Sequence, residues 1–151
     1  MNKLAGWVAR GVAAAIVMAT LSGCGINTVP TQDEQVKAAW SQVQNEYQRR
    51  SDLIPNLVNT VKGYAQQEKT VLTQVIEARA KATQTSVNLP PDVTSNPKAF
   101  QQYEQSQNQL TQALGRLMVV SERYPDLKSN QNFLALQSQL EGTENRIAVA
   151  R

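Results

Sequence analysis

"VKAAWSQVQNEYQRRSDLIPNLVNTVKGYAQQEKTVLTQV", residues 36–75, decides the fold. Val36, Trp40, Val43, Tyr47, Ile54, Leu57, Val61, Tyr64, Val71 and Val75 recur at alternating spacings of four and three. That spacing lays the apolar side chains along one stripe of a helix, the pattern of a bundle or coiled coil. Two charges hold places in the same register: Arg50 between Tyr47 and Ile54, and Glu68 between Tyr64 and Val71. A charge on a buried stripe is tolerated only when paired and hydrogen-bonded, so Arg50 and Glu68 are expected to be partners in a buried seam that fixes helix register. Pro55 removes one helical hydrogen bond and crowds the preceding turn. A break or kink is therefore expected near residues 51–55, with Asp52 available to cap a fresh helix.

The same logic extends in both directions. Upstream, Thr31 with Glu34 fits a capping box, and Asp33 is a rival cap. Downstream, "QTSVNLPPDVTSN" at 84–96 reads as a loop from its prolines and small polar residues. Asn96-Pro97 then sets a capping residue before a proline at the first helical position. The helix it opens carries Phe100, Tyr103, Leu110, Leu114, Leu117 and Val120 and should end near "RYPDLK". A last helix starting around Ser129 or Asn130 carries Phe133, Leu136, Leu140 and Ile147. Gly63, Gly115 and Gly142 fall mid-pattern, where each costs about 1 kcal/mol relative to Ala, and close helix crossing is the expected reason. No segment has a strand pattern. The fold class is all-α, an antiparallel bundle of three to four long helices.

The N-terminus has another character. Lys3 and Arg10 precede "GVAAAIVMATLSG", which carries no charge and is shorter than the roughly 20 apolar residues that span a bilayer. It ends in "LSGC", and Cys24 is the sole cysteine of the chain. Leu21-Ser22-Gly23-Cys24 resembles a bacterial lipobox, in which the cysteine becomes the acylated first residue of the mature protein. Residues 1–23 are then a lipoprotein signal peptide, residues 24–32 a membrane-proximal spacer, and residues 33–151 the bundle. Several acyl chains at about 0.8 kcal/mol per buried CH₂ hold a protein to a membrane effectively permanently. Gly25, where an Asp is absent, is similar to outer-membrane lipoproteins of diderm bacteria.

Charge and composition exclude other classes. The 15 Lys+Arg, less Lys3 and Arg10 of the signal, leave 13 against 12 Asp+Glu. The mature part is close to neutral, and its cations are scattered except for Arg49-Arg50, so no nucleic-acid footprint is present. The sequence has no His, no metal-ligand cluster and no Gly-rich phosphate loop. No catalytic residue and no cofactor is nominated.

"AWSQVQNEYQRR" at 39–50, "RRSDLIPNLVNTVKGYAQQE" at 49–68, "VIEARAKA" at 75–82 and "ALGRLMVVSERYPDLKSNQNFLALQSQLEGTENRIAVAR" at 113–151 together resemble the LemA family. The resemblance covers nearly all of the mature chain in the family's order. It implies a membrane-associated, mostly helical bacterial protein without an established enzymatic activity. It also implies recurring polar positions at Arg49, Arg50, Asp52, Glu68, Arg79, Glu122, Tyr124, Asp126, Glu144, Asn145 and Arg146. These read either as ion pairs between helices or as a polar groove that recognises a peptide or envelope partner. Family members commonly start with an uncleaved membrane helix and continue past the position of Arg151. The lipobox-like start departs from the first habit. The second leads to an expected exposed stripe of Leu136, Leu140 and Ile147, and to weak self-association.

The expected function is that of a membrane-tethered interaction or scaffold protein of the bacterial cell envelope. It would be anchored by lipid on the extracytoplasmic side, at the outer membrane of a diderm host, with an envelope protein as partner. A sensory bundle that binds a ligand or peptide between its helices is the competing expectation.

Overall fold

The computed structural model describes residues 28–150, with side-chain burial from residue 32 onward. Cys24, the lipobox-like stretch and the signal segment lie outside the described residues. Two compact units divide the chain, residues 1–38 and 39–151. Helix α1 runs Thr28–Tyr64, α2 Lys69–Val87, α3 Pro97–Ser121, the four-residue α4 Pro125–Lys128, and α5 Gln131–Ala150. A 3₁₀ turn, Val93–Ser95, lies between α2 and α3. No strand occurs among the described residues.

In the first unit the described part is helical, with Lys37 paired to Asp33 at 2.6 Å and to Glu34 at 3.2 Å. Thr28–Gln32, read as spacer, is helix here, and neither Thr31 nor Asp33 marks a helix start. Val36 is 52% exposed, so the buried stripe begins later than the sequence pattern did.

In the second unit the helices run up, down, up and down. Trp40 meets Phe100 and Tyr103 at ring separations of 5.7 and 5.3 Å, while Glu68 meets Arg123 at 3.0 Å, so α1 and α3 run in one direction. Arg116 donates to Gln74 and Arg79 reaches back to Ser51, which sets α2 opposite to both. Asn130 donates to the Tyr64 hydroxyl while Arg146 pairs with Glu46, which sets α5 opposite to α1. An antiparallel bundle results, with its main core on Ile54, Leu57, Val61, Val75, Leu110, Leu117, Leu127 and Phe133. A smaller cluster of Val43, Tyr47, Tyr103 and Ile147 closes the other end.

Pro55 does not break the helix. Residues 51–55 are continuous α-helix, and Pro55 is exposed within it. Its missing N–H leaves the Ser51 carbonyl without its i+4 donor, and Arg79 Nε supplies a hydrogen bond there at 2.8 Å. Burial of Ile54, Leu57 and Val58 around the proline outweighs what remains of its cost. The chain turns instead at residues 65–68, just after Gly63 weakens the last turn, and Glu68 precedes α2. Tyr64, placed on the buried stripe by spacing, is 43% exposed at that turn.

The other boundaries follow the residues. The Asn96 side chain accepts from the Ala99 N–H at 3.2 Å, and Pro97 follows in the first turn. The Asn130 side chain accepts from the Phe133 N–H at 3.0 Å and opens α5. The expected exposed stripe on α5 is covered: Leu140 and Ile147 are buried, and Leu136 packs against the core. The glycines do not mark close crossings. A Cβ on Gly63 or Gly115 would meet nothing within 4 Å, and one on Gly142 would touch only the guanidinium of Arg146.

Candidate functional site

Arg50 is the most consequential polar residue of the bundle, with 1% of its surface exposed. One terminal nitrogen donates to the Thr111 hydroxyl at 2.8 Å and to the Glu144 carboxylate. The other donates to the Gln107 side-chain carbonyl at 2.7 Å and to the Gln107 backbone carbonyl at 3.3 Å. The guanidinium lies 4.9 Å from the centroid of the Tyr47 ring, a cation–π contact in a desolvated site. One buried cation thereby ties α1 to α3 and α5. Its partner is Glu144 and not Glu68, which corrects the expected pairing. Glu144 keeps 41% of its side chain exposed, so the carboxylate reaches the buried arginine from the edge of the bundle.

Beside that carboxylate a groove of about 520 Å³ opens between α3 and α5. Leu114, Gly115 and Met118 line it from α3, and Gln137, Leu140, Glu141 and Glu144 from α5. Its volume falls in the roughly 300–1,000 Å³ range of small-molecule and side-chain pockets. Glu141 accepts from Gln137 at 3.0 Å along the same wall. The groove therefore has an apolar floor and an acidic edge.

The LemA family profile matches residues 39–151. The chain belongs to the LemA family. The match begins and ends with the second compact unit, so it covers the bundle as a whole. No curated protein matches this LemA chain.

The polar positions that the resemblance implied fall into three groups. Arg50, Arg79, Glu68, Tyr124, Glu144 and Arg146 bridge helices: Glu68 takes Arg123 at 3.0 Å and the Tyr124 hydroxyl at 3.2 Å, and Arg146 takes Glu46 at 2.8 Å. Partial burial, and next the Glu68 hydrogen bond, raise the Tyr124 hydroxyl above its ordinary value. Asp52 and Glu122 are exposed and act locally, Asp52 accepting from Gln48 at 2.8 Å and Glu122 pairing with Lys128. Arg49, Asp126 and Asn145 are exposed, and Asn145 lines the α3–α5 groove. The positions are thus not gathered into one polar groove.

Sequence reasoning missed Gln107, Thr111, Ser51 and Glu46. Gln107 had a signal, since it holds the place between Tyr103 and Leu110 in the α3 register as Arg50 does in α1. Among the described residues no cluster of three or more acidic or sulfur ligands could hold a metal ion. No described helix is long and apolar enough to cross a membrane.

Proposed function

We propose that this LemA chain is a lipid-tethered, non-catalytic module of the bacterial cell envelope that works by binding a partner protein along its bundle. The observation that carries the binding half is the α3–α5 groove, where partly buried Met118 and the buried Leu114 and Leu140 form an apolar floor beside Glu141 and Glu144. Arg50, Arg79 and Arg146 are committed between helices, whereas Glu141 at this groove takes a hydrogen bond from its helix neighbour Gln137. Trp40, Tyr47 and Tyr103 fill the opposite end against one another at ring separations of 5.3–5.4 Å. That packing supports an interaction module over a chamber for a small apolar ligand.

The anchoring half is supported by "LSGC" after a short apolar run, with acyl chains on Cys24 as the membrane contact. An extracytoplasmic location follows from it, on the outer membrane where the host has one. Metabolic labelling with a fatty-acid analogue tests this directly. The parent should incorporate label and fractionate with membranes, whereas Cys24→Ser should do neither and should accumulate as precursor. Equal labelling of the two would overturn the tether.

A further inference from the structure

We infer that the α3–α5 groove takes a basic amphipathic helix of a partner protein, seated apolar face down with a Lys or Arg against Glu141. This rests on the groove being the binding surface and adds the chemistry of its occupant. The shape argument starts from Leu114 and Met118, one turn apart on α3, facing Leu140 across a gap between two antiparallel helices. Gly115 lies between them with open space above it, so nothing there obstructs a helix backbone. A helix laid in such a trough buries one apolar stripe, the helix-in-groove mode of recognition.

The charge argument selects the occupant. Glu141 and Glu144 stand one turn apart on the same wall, and among the described residues no Lys or Arg lines the groove. The cations nearby in sequence are engaged elsewhere, Arg116 with Gln74 on α2 and Arg146 with Glu46 on α1. Arg50 offsets part of the Glu144 charge from beneath, leaving Glu141 as the carboxylate whose partner among the described residues is the neutral Gln137. A neutral occupant would desolvate that carboxylate without compensation, an acidic one would be repelled, and a cationic one gains a charge-assisted hydrogen bond. Anionic lipid is disfavoured by the same sign.

The test uses the full lipidated chain in zwitterionic nanodiscs, with empty nanodiscs as background, and a dye-labelled helical peptide of Leu and Lys followed by anisotropy. Its twin carries Glu in place of Lys. The Lys peptide should bind the parent and lose about tenfold or more in affinity to Glu141→Lys and to Gly115→Leu, while Glu77→Lys, at an exposed position of α2, binds as the parent does. Melting curves establish that each variant is folded. Equal binding to all four proteins, binding of the Glu twin as tight as the Lys peptide, or no binding of either would overturn the inference. Self-association of the parent that Gly115→Leu abolishes would overturn it in favour of a second copy. Photocrosslinks from the groove that persist in Glu141→Lys would leave the binding surface standing and remove only its basic occupant.

Discussion

Arg79 on α2 donates through Nε to the carbonyl of Ser51 on α1 at 2.8 Å, the carbonyl that Pro55 cannot serve. The proline defect and its repair lie on different helices, so the unbroken α1 depends on α2 being docked. Ser51 is buried, and its hydroxyl meets that of Thr83 at 3.1 Å, which adds a second tie at the same level.

Arg79→Ala should destabilise the bundle by about 1–3 kcal/mol, because a partly buried carbonyl loses a charged donor. In a Pro55→Ala background the same substitution should cost less, since the N–H restored at position 55 can then take the Ser51 carbonyl. A double-mutant cycle by chemical denaturation measures the coupling. Strict additivity would show that Arg79 acts elsewhere.

The Arg50–Glu144 pair should respond unequally to loss of either member. Glu144→Ala leaves a fully buried guanidinium without its anion and should cost about 3–5 kcal/mol. Arg50→Met keeps volume and leaves a half-exposed carboxylate that water can solvate. Its cost should be about 1–3 kcal/mol, from the unmatched Gln107 carbonyl. Denaturation midpoints of the two variants decide the order, and a larger loss for Arg50→Met would contradict it.

Tyr103 confers an alkaline sensitivity. Burial pushes its hydroxyl up to about 12 from an ordinary value of 10, with the Ser86 hydrogen bond opposing the rise. Below pH 10 the phenol is neutral in both folded and unfolded chains, and its contribution is fully present. As pH climbs from 10 toward 12 the unfolded chain ionises first, so stability is lost across that window. Tyr103→Phe should flatten this part of the stability–pH curve. An unchanged slope would place the alkaline loss on other groups.

Gly115→Ala should stabilise by about 0.5–1 kcal/mol, since the new methyl enters open space in a helix interior. Destabilisation would mean that another helix does approach the glycine closely.

Much of the fold was legible because apolar spacing is a local property. Ile54, Leu57, Val61, Leu110, Leu117 and Phe133 lie in the main core, where their period put them. Caps were legible for the same reason: Asn96 and Asn130 each satisfy an N–H three residues on. What escaped was non-local. The helix continues through Pro55 because Arg79 arrives from another helix, and spacing within α1 carries no trace of that. Arg50 was marked as buried by its register, but its choice of Glu144 over Glu68 depends on which helix ends meet. The groove was invisible for a related reason, since its walls come from two helices, α3 and α5, that are separate in sequence. Leu140 and Ile147 are covered by helices whose placement the α5 sequence alone does not specify.

The most direct measurement of the central claim is site-specific photocrosslinking in native membranes, with the photoreactive residue at Gln137 in the groove or at Thr73, an exposed position of α2. The account predicts a discrete adduct from position 137 that is absent from position 73 and disappears with Gly115→Leu. Identical adducts from both positions, or no adduct from position 137, would contradict a bundle that works through the α3–α5 groove.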